Sequence, residues 1–423
     1  MVPTALESAC GMEWIMKEYR KNNKIFRLFF LTVIGVIIAA GFGIYAGILM
    51  KKIPRNIYVE NNKTTTLELN LPVTGDNVIQ TVDFNKPVTF VAGSTGTYKM
   101  DIKLFGVFDI STVNVNVVEQ KNVYPCGFQT GLYMKTDGVL VVGTENIEDS
   151  YGNLISPCEN VIRTGDYISA VNGNYINRKD ELIDIISEFN GGELIFTLRR
   201  NESDIDVSIR PVRDTNGDYK VGLWVKDDAQ GIGTVTYIDE GGRFGALGHG
   251  ITDTDTDKLL DISDGALYRT NIISIIKGED GTPGEFVGTI DYKKSNVLGE
   301  INSNRTNGIY GTIDTKLIEE YDLNMMPVGY SYEAHKGTAA IRMYVKGEFK
   351  EYPIIIEELS NNESKNITFR VVSEELLELT NGIVQGMSGC PIIQDGKIIG
   401  AVTHVFIDNS KCGYGIYMEK MMG

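Results

Sequence analysis

Residues Leu28 to Met50 read LFFLTVIGVIIAAGFGIYAGILM, 23 positions in succession without a charged side chain. A helix rises about 1.5 Å per residue, so the run can cross a hydrocarbon layer roughly 30 Å thick. A cleaved signal sequence would have an apolar stretch of about 7–15 residues and then a small-residue cleavage site. This run is longer and ends on Lys51 and Lys52, which points to an uncleaved anchor. Lys17, Arg20, Lys21, Lys24 and Arg27 precede it; Lys51, Lys52 and Arg55 follow. That bias predicts a cytosolic tail at 1–27, a transmembrane anchor at 28–50 and an exported remainder of about 370 residues.

The whole chain has 423 residues and a net charge of −16. Beyond residue 55 the balance is 32 basic against 53 acidic residues, a net of −21. Such a surface is soluble and is not that of a nucleic-acid protein, which carries a basic face. Five Cys over this length, with no C-x-x-C pair, make neither a disulfide scaffold nor a thioredoxin-type site. No cofactor is called for. Gly is abundant and Pro scarce, as in a turn-rich β protein.

Alternating polar and apolar residues predict a small β region over 57–120, in which no chemistry is evident. Over 121–226 the pattern changes. GLYMKTDGVLVVG reads as two strands about a turn, KDELIDIISEF as a helix with Leu182, Ile185, Ile186 and Phe189 on one face, and ELIFTLRR and DIDVSIRP as strands. With Arg163-Thr164-Gly165-Asp166 through Val171-Asn172-Gly173, this segment resembles a PDZ domain. The resemblance implies strand addition: Gly131, Leu132, Tyr133 and Met134 would form the carboxylate-binding turn and the edge strand that an extended peptide joins.

From 227 to the end the chain is again β-rich. Ser388 stands in Gly386-Met387-Ser388-Gly389-Cys390-Pro391, ahead of an Asp395-Gly396 hairpin turn and the apolar strand Ile398–Val402. A tight turn before a hairpin pushes the hydroxyl outward and lets adjacent N–H groups converge where an oxyanion would form. Gly-x-Ser-Gly-x-Pro before a hairpin resembles chymotrypsin-like proteases, which implies the N–H groups of Gly386 and Ser388 as the oxyanion hole. Serine needs a base. His249, among glycines in GALGHGI, reads equally as that base or as an ordinary turn residue; His404 reads as a wall of the substrate channel and His335 as a surface residue.

GRFGALGHGITDTDT and GIVQGMSGCPIIQDGKIIGAVTHVF, with the PDZ-like segment upstream and the apolar run before it, resemble the stage IV sporulation protein B serine peptidases. The resemblance implies a mainly β fold: anchor helix, small β region, PDZ domain, and a chymotrypsin-like double β-barrel over 227–423. It implies His249 as general base and Ser388 as nucleophile. It also implies a sporulation setting, between forespore and mother cell. There the enzyme would cleave a membrane-bound regulator and itself, activating a late sigma factor, with its PDZ domain recognising substrate or self. Where that family places Asp, this sequence has Ser373, then Glu374 and Glu375. Glu374 is the expected acid after a one-residue shift, with Ser373 or an acid from elsewhere as alternatives and a solvated helix N-terminus as the plain reading. The missing Asp also fits a non-catalytic PDZ and pseudo-protease scaffold. Asp253, Asp255 and Asp257 are spaced like a calcium loop, but Lys258 and Asp264 break that template. Cys390 and Cys412 can approach each other across the intervening hairpin; only Cα distances decide a bridge.

Overall fold

The computed structural model describes residues 5–67, 71–76, 81–279, 281–362, 364–406 and 408–422. Two compact units result, Met1–Val117 and Val118–Gly423. In the first, a helix Ala5–Lys52 carries the apolar run, and Arg27–Lys52 is long and apolar enough to cross a membrane. Leu28, Phe29, Ile37 and Ile44 are each more than half exposed, so no protein core accounts for this apolar surface. The same unit holds a five-stranded sheet and a separate two-stranded ribbon, Thr64–Leu67 with Val88–Val91. Met100, Ile102 and Leu104 alternate into its core, the period-2 pattern expected of half-buried strands.

The second unit contains two closed β-barrels. The first is a ring of strands: Gln129–Thr144, Ile262–Tyr268, Val297–Arg305, Gly308–Ile313, Arg243–Ala246 and Leu223–Ile238, the last pairing back on the first. Phe128, Leu132, Met134, Phe244, Leu247 and Ile301 fill it. The second barrel closes through Gly337–Val345, Glu348–Leu359, Ile367–Val371, Asn409–Tyr417, Lys397–Phe406 and Pro391–Gln394. Its core takes Ile341, Ile354, Phe369 and Ile392, all fully buried. Asp395 and Gly396 both have positive φ, 50° and 73°, as the Asp-Gly hairpin requires.

The PDZ fold stands between the two long strands 129–144 and 223–238. Their outer halves, with Tyr167–Val171, Leu194–Arg200, Ser203–Ile209 and the helix Lys179–Ser187, enclose Val141, Ile168, Leu182, Ile186 and Phe196. The Asp137-Gly138 pair does not turn the chain. Gly138 has φ 90°, and a Cβ there would lie 2.9 Å from the Ile168 carbonyl, so it marks a kink in one continuous strand. This corrects the boundaries read from the sequence: residues up to about 136 belong to the first barrel, not to the PDZ fold. Local alternation could not reveal it, because a strand that passes from one core to another keeps its period.

Candidate active site

The Ser388 turn is fixed by backbone bonds on several sides. Cys390 N–H donates to Met387 O at 2.9 Å, Gly389 N–H to Val402 O at 2.7 Å, and Val402 N–H to Cys390 O at 2.9 Å. Gly386 and Gly389 have φ of 97° and 98°, a region that L side chains rarely adopt. Thr234, fully buried on the long first-barrel strand, holds the turn from the opposite barrel. Its N–H donates to Ser388 O at 3.2 Å and its hydroxyl to Gly386 O at 2.6 Å. A Cβ on Gly389 would sit 2.1 Å from the Thr234 carbonyl. Among the described residues the N–H groups of Gly386 and Ser388 donate to no protein atom, which leaves both available to an oxyanion. The Ser388 hydroxyl donates to Thr403 O at 2.7 Å.

The His249 loop meets the same strand. Thr234 O accepts from Leu247 N–H at 3.2 Å, which ties this loop to the residue that holds the serine turn. Leu247 and Gly248 follow with positive φ, and a Cβ on Gly248 would lie 3.0 Å from the Thr403 methyl. The rings of His249 and His404 are 4.8 Å apart, centre to centre. Thr403 O accepts the Ser388 hydroxyl, so Ser388 and His249 converge on Thr403–His404 from the two barrels. Nδ1 of His249 bonds the Gly250 carbonyl at 2.8 Å. A carbonyl only accepts, which assigns the proton to Nδ1 and leaves Nε2 unprotonated as a base. Burial pushes the His249 pKa below its ordinary 6.5, partly offset by that carbonyl. His404 is pushed down to about 4 by burial of its ring, then by His249 and Lys365.

Glu374 is not brought to His249. It is exposed in the first turn of the helix Glu374–Thr380, and Ser373 caps that helix by accepting from Leu376 N–H at 3.2 Å. Acids at that end suit the helix dipole, and the Nδ1 position that an orienting carboxylate would need is taken by Gly250. The partner that His249 Nδ1 has in the structure is thus a backbone carbonyl and not the expected Glu374. Cys390 is buried, its thiol pushed up to about 12; with Cys126, Cys158 and Cys412 it is a free thiol. His335 pairs with Asp395 at 2.8 Å on the surface. Lys226 bonds both Asp253, at 2.9 Å, and Asp255, a local use for those carboxylates. Thr234 and Thr403 went unread in the sequence: a buried threonine in a strand carries no local sign of its partner, which lies 152 residues away for Thr234 and 15 away, across a hairpin, for Thr403.

The peptide-binding stretch is also corrected. Tyr133 pairs with Gln230 on one side and with Ala266 on the other; Gly131, Leu132 and Met134 are likewise paired on both edges. A strand with two neighbours has no edge for a peptide. The PDZ fold instead leaves open a groove of about 680 Å³ between its helix and the start of the other long strand. Ile183, Ile186 and Phe189 line one wall, Val221, Gly222 and Leu223 the other. Residues 223–226 pair only with 140–144 among the described residues, so their second edge faces the helix unpaired. Further along the strand, Asp227 accepts from Lys179 N–H at 2.9 Å.

Residues 217–422 match the family described as SpoIVB peptidase S55. Among solved structures, the active form of the Rv3671c protease of M. tuberculosis is similar at 15% identity and TM-score 0.25, over 46% of this chain and 72% of that one. The PDZ domain of the SdrC-like protein of Listeria monocytogenes is similar at 23% identity and TM-score 0.18, over 21% of this chain and 87% of that one. Among curated protein sequences, none matches the chain.

Proposed function

We propose that this serine peptidase, whose residues 217–422 belong to the SpoIVB peptidase S55 family, is a membrane-anchored signalling endopeptidase that acts outside the cytosol. The convergence of Ser388 and His249 on one strand from separate barrels carries the reading. Ser388 leaves the Thr403 carbonyl, turns to His249 Nε2 and attacks a peptide carbonyl as the imidazole takes its proton. The Gly386 and Ser388 amides hold the oxyanion. The imidazolium then protonates the leaving amine, and water completes the cycle by the same route. The Gly250 carbonyl keeps the tautomer correct, but it lacks the full charge with which a carboxylate would steady the imidazolium.

The Arg27–Lys52 helix supports anchoring, and the basic residues before it support a cytosolic N-terminus. The family supports a sporulation setting between forespore and mother cell. The substrates are then a membrane-bound regulator, whose cleavage leads to late sigma-factor activation, and the chain itself. The PDZ groove between 183–189 and 221–226 takes an extended peptide of substrate or of a second copy by strand addition. The competing reading is a scaffold without activity, which the carboxylate-free His249 favours. Labelling of Ser388 by a fluorophosphonate separates the two, because an unactivated hydroxyl does not react. Labelling of the wild type, and loss of self- and substrate cleavage in a folded Ser388→Ala chain, are expected. Undiminished cleavage by that variant ends the reading.

A further inference from the structure

A hairpin that belongs to neither barrel touches the oxyanion turn. Thr270–Ile276 and Glu285–Ile290 pair with each other in their own two-stranded sheet. The turn end of this hairpin, residues 277–284, is joined to the segment before Ser388. Gly278 N–H donates to Thr380 O at 3.0 Å, and Asn381 Nδ2 to Gly278 O at 2.7 Å. Gln385 N–H then donates to Gly284 O at 2.7 Å, and Phe286 N–H to Gln385 O at 3.0 Å. The Phe286 ring is buried with the core of the second barrel. A Cβ on Gly386 would meet that ring at 2.6 Å.

The Phe286 bond has a geometric consequence. A trans peptide is planar, so its C=O and N–H point to opposite sides. With the Gln385 carbonyl held toward Phe286, the N–H of Gly386 in the same peptide unit faces away from Phe286. It has no protein partner among the described residues, as an oxyanion donor should. A glycine at 386 makes the opposite arrangement sterically accessible, because it tolerates φ of either sign. Without the Phe286 N–H, rotating this peptide unit would aim a carbonyl where the oxyanion should sit and remove one of the two donors.

We propose that this hairpin sets the oxyanion hole, with Phe286 as a positioning residue that acts through its backbone N–H on the 385–386 peptide. The inference rests on Ser388 being the nucleophile. It makes the hole conditional: it is formed while the hairpin is docked and lost when the hairpin lifts.

The test uses the detergent-solubilised full chain, with fluorescent casein as substrate and the fluorophosphonate labelling rate of Ser388 as a second readout. Wild-type labelling and turnover come first; their absence defeats the catalytic reading itself and leaves the hairpin out of account. Given an active wild type, Phe286→Pro deletes the N–H and should lower kcat about 100-fold or more, with KM within about threefold, since one oxyanion donor is lost. Labelling should fall in parallel. Phe286→Leu keeps the N–H and should retain kcat within about fivefold, which a purely packing role would not predict. Asn381→Gly suits that residue's φ of 56° and removes only its clasp on Gly278, so it remains informative if the proline variant does not fold. It should lower kcat several-fold at unchanged KM. Wild-type kcat in Asn381→Gly, or a loss confined to KM, overturns the proposal.

Discussion

The turn that carries Ser388 and the loop that carries His249 both depend on glycines with positive φ, and they are secured by different means. Around Ser388 nearly every constraint is a backbone hydrogen bond. Val402 holds Gly389, Thr234 holds the carbonyls of Gly386 and Ser388, and Phe286 holds that of Gln385. The His249 ring rests on one such bond, to the carbonyl of the very next residue. The loop after it is steadied further off, by Asn304, whose side chain bonds both Ile251 N–H and Ile251 O at 2.8 Å. The difference suits the two tasks proposed for these residues. Oxyanion donors must already be aimed when charge develops, whereas a base needs the right tautomer and enough freedom to receive a proton and pass it on.

Substitution at the glycines should expose this asymmetry most strongly. In Gly389→Ala the new Cβ meets backbone, the Thr234 carbonyl at 2.1 Å and the Leu247 nitrogen at 2.6 Å, at a φ of 98°. Neither atom can move without shifting a barrel strand. A stability loss of about 2–4 kcal/mol is expected, and fluorophosphonate labelling should vanish. Gly248→Ala, at a φ of 72°, meets the Thr403 methyl at 3.0 Å, an Ile416 methyl at 3.1 Å and the Val402 carbonyl at 3.4 Å, all looser contacts than those at Gly389, and should lose clearly less in a thermal melt. Equal losses would erase the distinction drawn between the two sites.

Thr234 comes next. Thr234→Val keeps the shape and the backbone N–H but strips the donor from Gly386 O. An unpaired buried carbonyl costs about 1–3 kcal/mol, and kcat should fall more than KM rises. Thr234→Ser retains the hydroxyl and should recover most of both. A valine variant with normal kcat would show that the turn does not need the Thr234 hydroxyl.

The pH profile sharpens the His249 side. A carboxylate at Nδ1 would raise the imidazole pKa; burial against a neutral carbonyl lowers it below 6.5. The acid limb of kcat/KM for the free enzyme should therefore have its midpoint below pH 6.5. Stability carries the same sign. The unfolded chain binds the proton first as pH falls, so this group's contribution is complete above about 6.5 and is lost through the window down to the folded pKa. An acid limb above 6.5 would reveal an acid at His249 that the resting arrangement does not show.

Much of this was legible in the sequence. The Asp395-Gly396 turn, the apolar run and the Ser388 turn each declare themselves within a few residues, because local backbone chemistry decides them. His249 needed the resemblance to a family to stand out from an ordinary turn histidine. The misreadings were all non-local. Gly131–Met134 carries a PDZ-like signature, yet it lies between two strands supplied from about a hundred residues downstream. The groove that replaces it opens at Val221-Gly222-Leu223, at the other end of the inserted fold, where a short apolar stretch with one glycine gives no sign of a free edge. Thr234 and Phe286 matter only through partners that tertiary contact brings to them.

The smallest expected effect decides the third catalytic position. Glu374 and Ser373 adjoin in sequence, and the structure separates their work. The Ser373 hydroxyl caps the helix, and Glu374 is exposed one residue on. Ser373→Ala should cost about 1 kcal/mol of stability through the lost cap, read in a thermal melt, and should loosen the segment that leads into the Ser388 turn. Glu374→Gln should leave kcat/KM within about twofold, because His249 Nδ1 already has its acceptor in Gly250. The backbone acceptor cannot be removed by changing a side chain, so the negative result at Glu374 carries the weight. If Glu374→Gln instead costs a hundredfold or more while the melt is unchanged, the helix must move toward His249 when substrate binds. The carbonyl at Gly250 would then be a resting partner that the carboxylate replaces during turnover.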